Sequence, residues 1–448
     1  MIKRKIDDFI KEYYKRYRNA LLITGARQVG KTFSIRQFGK SFKSFIEINF
    51  VDMPDAVKIF QDAKSCEDIL LRLSLFTSVP LIKGDTLIFF DEVQKCPNIV
   101  TAIKFLVDEG SYRYILSGSL LGVELKDLRS EPVGYMGVKE MYPIDLEEFF
   151  NCVGVSASVL DNLRYAWNSK LPIDDVIHSK MMQLLRLYLV VGGMPAAVNQ
   201  FLLSNNLQNV IEVQREIISL YKRDIAQYDP ENKLYINDIF NLIPSELNAK
   251  NKRFILKNLN EYAKFNRLDS SFLWLSNAGV ALPVYNVEEP KVPLLLARSR
   301  NLFKLFQNDV GLLACQYVDG FQLRIINNES NINFGSIYEN LIAQELTSHG
   351  FALYYYNNKK RGEVDFVIEY NGDILPVEVK SGKDYDFHRA LSNIMMCSEY
   401  NIPKAIVFNN DNLKVVDNVI YAPIYMSMFL EKNIVAPIIF KPDLTGLQ

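Results

Sequence analysis

The stretch that most constrains this chain is Leu21-Leu22-Ile23-Thr24-Gly25-Ala26-Arg27-Gln28-Val29-Gly30-Lys31-Thr32, a G-x-x-x-x-G-K-T pattern between an apolar run and a helical one. Ala20 to Ile23 predicts a buried parallel strand, and Lys31 onward a helix whose N-terminus faces the loop. Gly25 and Gly30 permit positive φ and close backbone approach. Successive N–H groups of Gly25, Ala26, Arg27, Gln28, Val29, Gly30, Lys31, Thr32 and Phe33 can then converge on phosphate oxygens. The helix N-terminus adds the positive end of its dipole. Lys31 is placed for the β- and γ-phosphates and the Thr32 hydroxyl for Mg²⁺, so the loop implies ATP and magnesium.

A second element follows about sixty residues later. Thr86-Leu87-Ile88-Phe89-Phe90 is a continuous apolar run ending in Asp91-Glu92, a strand buried on both faces that delivers two carboxylates. Asp91 suits a magnesium shell, and Glu92 suits orienting or polarising an attacking water, the catalytic role paired here with Lys31. Ser44 to Phe50 predicts another strand and Pro97 to Val107 a helix. Tyr112 to Leu116 predicts a further buried strand, ending in Ser117-Gly118-Ser119. Ligands of open α/β sheets sit at the carboxyl ends of strands, so Ser117 or Ser119 could sense the γ-phosphate; the alternative is a plain turn.

GARQVGKT (25–32), IFFDEVQK (88–95) and ILSGSLLG (115–122) resemble the AAA-type ATPases of prokaryotes, in the group joined to a C-terminal domain of unassigned function. Tyr142-Pro143-Ile144-Asp145-Leu146-Glu147-Glu148-Phe149 is similar to the segment closing that ATPase core, and Gly192-Gly193-Met194-Pro195 to its helical-region signature. The resemblance implies a nucleotide-driven switch or motor acting on nucleic acid, and relatives that work as rings with an arginine supplied by a neighbour. Here the run before Tyr142, Val133 to Val138, carries no arginine. Arg113 and Arg129 are arginine-finger candidates by position only.

The expected fold class is α/β, with four regions. Residues 1–150 form a P-loop ATPase core and 151–228 a helical lid. Residues 229–315 hold helical stretches followed by Gly279-Val280-Ala281-Leu282-Pro283-Val284-Tyr285, a winged-helix-like order. Residues 316–448 form the fourth, an α/β unit. Such a middle region binds DNA or bridges proteins, and the residues do not choose between them.

Charge and cysteine usage narrow the class further. With 51 basic and 52 acidic side chains the formal net charge is −1, so attraction to DNA or RNA would need a local patch. The five cysteines (Cys66, Cys96, Cys152, Cys315, Cys397) show no metal spacing and fit a reducing compartment. Neither a signal-peptide pattern nor a run of about 20 apolar residues is present, so a cytoplasmic protein with no membrane partner is expected. Residues 3 to 18 carry seven basic residues with Tyr13, Tyr14 and Tyr17 between them. They predict either a solvated helix or a lead-in helix covering the nucleotide base.

The C-terminal region carries a second constellation. Phe334 to Ser348 predicts a helix containing Glu339, and Phe351 to Tyr356 a strand. Two strands, Glu363 to Tyr370 and Asp373 to Lys380, flank Asn371-Gly372, the strongest short hairpin signal. A two-residue turn there pairs positions whose numbers sum to 743, setting Asp365 opposite Glu378 and Glu363 opposite Lys380. Alternation then places Glu363, Asp365, Glu378 and Lys380 on one face and Val364, Phe366, Ile368, Val377 and Val379 on the buried other. Facing carboxylates repel by up to ~1 kcal/mol unless a cation lies between them. Glu339, Asp365 and Glu378-x-Lys380 resemble the PD-(D/E)xK nuclease signature, which implies carboxylates holding Mg²⁺ and a lysine helping to activate water. The alternative is an ordinary sheet with a charged solvent face. Lys359-Lys360-Arg361, with Lys380 and Lys383 near, could contact a phosphate backbone; the alternative is a solvated loop.

Overall fold

The computed structural model describes residues 2–63, 65–119, 134–228, 233–249, 252–259, 265–329, 332, 334–382 and 388–432. Arg129, Lys383 and the Leu120–Gly122 end of the third motif lie outside the described residues.

The chain opens with α1 (Lys5–Arg16), whose Asp7 side chain accepts the Arg4 amide at 3.0 Å. Ile6 and Ile10, one turn apart, are buried against the core, and Tyr14 stacks on Phe38 with ring centroids 5.6 Å apart. The helix is therefore docked by one face, and it carries Ile2 and Arg4 to the rim of the P-loop cavity. β1 (Ala20–Thr24), α2 (Lys31–Gly39), β2 (Ser44–Asn49), α3 (Cys66–Leu75), β3 (Thr86–Asp91), α4 (Asn98–Glu109), β4 (Arg113–Ser117) and β5 (Met136–Glu140) complete the first unit. Its sheet runs β2-β3-β4-β1-β5 and every pairing is parallel. The apolar runs at β1 and β3 are buried on both faces, as a parallel sheet covered by helices requires. β5 lacks such a run and has no counterpart in the sequence reading, because it is a half-exposed edge strand with Val138 on the surface.

Five helices follow: α5 (Leu146–Cys152), α6 (Ala157–Ser169), α7 (Asp175–Val191), α8 (Pro195–Ser204) and α9 (Leu207–Tyr228). The break between α7 and α8 is where the Gly192-Gly193-Met194-Pro195 signature acquires a physical reason. Gly193 accepts the Ile144 amide at 2.7 Å, and a Cβ on Gly193 would lie 2.1 Å from the Ile144 carbonyl oxygen. The Gly193 amide donates to Asp309 Oδ2 at 2.5 Å, and Tyr188 Oη bridges the Ile144 carbonyl and Gln344. Three chain segments thus meet at one glycine. Among the described residues no single helix is long and apolar enough to cross a membrane; the α7–α8 pair meets that test only jointly and is bent by 119°.

The remaining elements are α10 (Lys233–Asn248), α11 (Phe265–Asn277), β6 (Ala281–Val287), β7 (Arg298–Gln307), α12 (Val310–Cys315), α13 (Phe321–Ile326), α14 (Phe334–Ser348), β8 (Tyr354–Asn358), β9 (Gly362–Tyr370), β10 (Asp373–Val379), α15 (Arg389–Met395), β11 (Ala405–Asn409), β12 (Lys414–Val416) and β13 (Val419–Pro423). The helices and strand pair expected in the middle region form, and the strand pair does not stand alone. β6 pairs in parallel with β8, so β6 and β7 are the edge of an eight-stranded mixed sheet, β12-β13-β11-β10-β9-β8-β6-β7. A boundary at residue 315 therefore separates strands that are hydrogen-bonded to each other.

Asp309, the N-cap of α12, is fully buried, and burial pushes its carboxyl up to about 6. A carboxyl raised in the folded state contributes stability that is complete below about pH 4 and lost as pH rises through about 6. Thermal unfolding of wild type against Asp309→Asn should show the difference moving in favour of wild type between about pH 7.5 and 5. A difference independent of pH would contradict the burial argument.

Candidate active site

The carboxyl ends of β1, β3 and β4 converge on a cavity of about 400 Å³. It is lined by Arg27, Gln28, Gly30, Lys31, Thr32, Asp91, Glu92 and Ser119, and roofed by Pro195, Ala196 and Asn199 of α8. Phe33, half exposed, and Ile2 supply apolar surface at one side. Gly25 has φ +125°, and a Cβ there would lie 2.1 Å from the Met141 carbonyl oxygen. That carbonyl is fixed because the Met141 amide donates to Thr24 at 2.9 Å. Gly25→Ala is therefore expected to cost about 1–3 kcal/mol in backbone strain and to weaken nucleotide binding at least tenfold. Fluorescent-nucleotide titration reads this, and unchanged affinity would contradict it.

Lys31 is buried, and burial pulls its pKa down to about 8 while Glu92 and Asp91 oppose the shift. Its ammonium donates to the carbonyls of Gly25 and Ala26 at 2.9 and 2.8 Å, spanning the loop that would receive phosphates. Thr32 Oγ1 donates to Asp91 Oδ2 at 3.0 Å, and Asn49 Nδ2 reaches the same oxygen at 3.3 Å. Ser117 Oγ donates to Asp91 Oδ1, which also accepts the Glu92 amide at 3.0 Å. Ser117 is wholly buried and holds Asp91, whereas Ser119 lines the cavity and donates to Glu92 Oε2 at 3.3 Å. The two serines thus divide between the two carboxylates. A hydroxyl and a carboxylate in contact form the hard-oxygen set that magnesium takes, so Thr32 and Asp91 fit that ion.

Arg113 begins β4, four residues before Ser117, which puts it about 13 Å along the strand from the crevice. It therefore stands away from this chain's own cavity. Asn49, Gln94 and Asp224 belong to the site and were not found by sequence reasoning, whereas Arg4 lies in the basic segment for which a helix covering the nucleotide is one of the two expectations. Only Asn49 carried a signal, as the polar end of an otherwise alternating strand.

The C-terminal constellation comes together around a residue the motif does not include. Pairing of β9 with β10 follows the expected register from Tyr370/Asp373 to Phe366/Val377 and ends there. Beyond it side chains close the gap: the Val379 amide donates to Asp365 Oδ2 at 2.9 Å and the Asp365 amide to Glu378 Oε2 at 3.4 Å. The register of β9 against β8 shifts at the same place. Glu363 is bound by Lys304 of β7 at 2.8 Å. The Lys304 ammonium, with no solvent exposure, also lies 3.7 Å from Glu339 and 3.8 Å from Asp365. Burial pulls its pKa down, and Glu339, Asp365 and Glu363 overcome this and hold it charged. Lys252 contacts Glu339, and Lys380 pairs with Glu378 at 2.7 Å. Burial and then Asp365 push Glu378 up to about 8, and the same two causes raise Glu339. Glu339 and Glu378 are both buried, so this is not a charged solvent face. Among the described residues no group of three or more acidic, histidine or cysteine side chains is arranged to hold a metal ion.

The sheet order, the loop between β1 and α2, and the Asp91-Glu92 pair together form a P-loop nucleotide-binding arrangement. Residues 17–150 match the model of a family described as AAA domain. Residues 182–322 and 334–426 match two families described only as domains of unknown function (DUF8612 and DUF4143). No curated protein matches the chain. Among solved structures, a Walker-type ATPase of Pyrococcus abyssi is similar at 14% identity and TM-score 0.43, over 71% of this chain and 96% of that one. The Aeropyrum pernix ORC1 protein, solved in complex with DNA, is similar at 11% identity and TM-score 0.29, over 73% and 91%. The Thermotoga maritima RuvB Holliday junction branch migration motor is similar at 12% identity and TM-score 0.28, over 65% and 91%.

Proposed function

We propose that the protein binds and hydrolyses ATP at the P-loop cavity and uses the cycle to switch a C-terminal module that binds nucleic acid without cutting it. The observation supporting the first half is the meeting of Lys31, Thr32, Asp91 and Glu92 in one cavity. Magnesium, when bound, supplies charge neutralisation on the phosphates. Lys31 gives up its loop carbonyls for phosphate oxygens, the loop amides fix the γ-phosphate, and Glu92 orients water for in-line attack. Ser119 holds the Glu92 carboxylate in place, and α8 shields the cavity.

The second half rests on Lys304. The four oxygens of the expected metal pair are engaged by Lys304, the Val379 amide, Lys380 and the Asp365 amide. This pairing of both carboxylates within the chain supports binding over cleavage. Lys359 and Lys360 remain exposed at the β8–β9 turn, while Arg361 is tied to Tyr400 at 2.9 Å. The Glu378–Lys380 contact favours the second reading, an ATP-regulated nuclease. Incubation with supercoiled and single-stranded DNA across a metal titration, with and without ATP, separates the two. Retention of labelled DNA with no strand cleavage is the expected result. Cleavage that disappears in Glu378→Ala would establish the nuclease.

A further inference from the structure

Arg27 is the third residue of the P-loop and lines the same cavity as Lys31, Thr32, Glu92 and Ser119. Its backbone and side chain are both gripped by α9. Tyr221 Oη donates to the Arg27 carbonyl at 3.1 Å, and Arg27 Nη1 donates to Asp224 Oδ1 at 2.5 Å. Asp224 is almost wholly buried at 8% side-chain exposure, and Arg27 is about one third exposed, at 36%. The other arginine at the cavity, Arg4, is spent on structure: it donates to the Val29 and Tyr142 carbonyls at 3.1 and 2.8 Å and pairs with Glu148 at 3.1 Å. Among the described residues Arg27 has one side-chain hydrogen-bond partner, so most of its five N–H donors are uncommitted.

We propose that Arg27 is a catalytic residue that meets the γ-phosphate from within the chain's own loop, and that Asp224 is a positioning residue that holds it aside until ATP arrives. This rests on the ATPase reading above. A guanidinium is matched in geometry to a phosphate's oxygens and is worth more on a doubly charged terminal phosphate than on one carboxylate. ADP lacks that terminal group, so Arg27 stays with Asp224 when ADP is bound and leaves it when ATP is bound. In the reaction a water oxygen bonds to the γ-phosphorus as the bond to the β–γ bridging oxygen breaks; ADP carries away that electron pair, and the water's proton passes to an oxygen of the released phosphate. Arg27 neutralises charge on the equatorial oxygens. Its departure leaves the buried Asp224 carboxylate unpaired, and that cost falls on α9. The lid helix is thereby informed of the nucleotide state.

The test uses the full chain as wild type, Arg27→Ala, Asp224→Asn and the double variant. It measures ATP turnover, and affinity for ADP and for a non-hydrolysable ATP analogue. Removing one donor aimed at developing charge should lower kcat about 10²-fold in Arg27→Ala. ADP affinity should stay within about threefold of wild type, which also shows that the loop is folded. Asp224→Asn should tighten the ATP analogue about fivefold and leave ADP unchanged, and that gain should vanish in the double variant. Equal weakening of ADP and ATP in Arg27→Ala, or a gain in Asp224→Asn that persists without Arg27, overturns the proposal. If Arg27→Ala shows no ADP binding, Arg27→Gln takes its place under the same criteria. Wild type with no ATP affinity would instead overturn the ATPase reading itself.

Discussion

Glu92→Gln is expected to lower ATP turnover about 10²–10³-fold while ATP affinity stays within about threefold of wild type. Two adjacent carboxylates stand at the end of β3, and their surroundings divide their tasks. Asp91 is buried, and both its oxygens are taken, by Thr32, Asn49, Ser117 and the Glu92 amide. Fixed beside Thr32, it suits the magnesium shell rather than the attacking water. Glu92 leaves the strand at φ 55°, a left-handed turn that swings its side chain out of the sheet. It lines the cavity, and its Oε2 is held by Ser119 and Gln94, leaving Oε1 for a water. Glutamine keeps the shape and removes the charge, so binding survives and the attacking water loses its partner. Lys31→Ala sets the contrasting limit, because it deletes the ammonium that grips the phosphates and should abolish ATP binding itself. Phosphate release and nucleotide titration on the same preparations separate the variants. Equal phosphate release from wild type and Glu92→Gln would remove Glu92 from the mechanism.

The residues just used show how far the sequence could be read. β1, the loop and α2 are adjacent in the chain, so their identities and spacing describe the phosphate cradle before any folding is known. Asp91-Glu92 is similarly local, because a wholly buried strand ending in two acids has few other uses. The β9–β10 register could be derived from Asn371-Gly372 alone as far as Phe366, since turn geometry propagates along a ladder. The regular ladder stops at Asp365, where the register against β8 shifts, although Asp365 and Glu378 still meet through side chain–amide contacts; a neighbouring strand's irregularity leaves no mark in the hairpin itself. Asp224 lies 197 residues from Arg27, and nothing in either segment announces the pairing. Lys304 did leave a trace. Leu302-Phe303-Lys304-Leu305-Phe306 puts one charge inside a run that must be buried, and a buried ammonium must find carboxylates.

That requirement makes Lys304→Met the substitution with the largest expected effect on stability. The ammonium holds β7 to Glu363 and Asp365 of β9 and to Glu339 of α14, so it fastens the edge of the eight-stranded sheet to its centre. Methionine fills much the same volume and leaves these carboxylates facing one another without that cation. Breaking a buried pair by deleting one partner costs about 3–5 kcal/mol, because the remaining charge stays desolvated. Lys252 still reaches Glu339 but contacts neither of the other two carboxylates. The loss must depend on pH in one direction. Burial and Asp365 already raise the Glu339 carboxyl above its ordinary range, and removing Lys304 raises it further. A carboxyl raised in the folded state is stabilising where it holds its proton and costs stability as pH rises through its folded value. The deficit of Lys304→Met should therefore be greatest near about pH 8 and shrink toward about pH 5. Adding Glu363→Gln should restore part of it, since that removes the carboxylate nearest to the missing ammonium. Urea denaturation midpoints at the two pH values are the measurement. A midpoint unchanged by Lys304→Met, or a deficit that grows toward acid, would show that Lys304 is not the cation that neutralises the cluster.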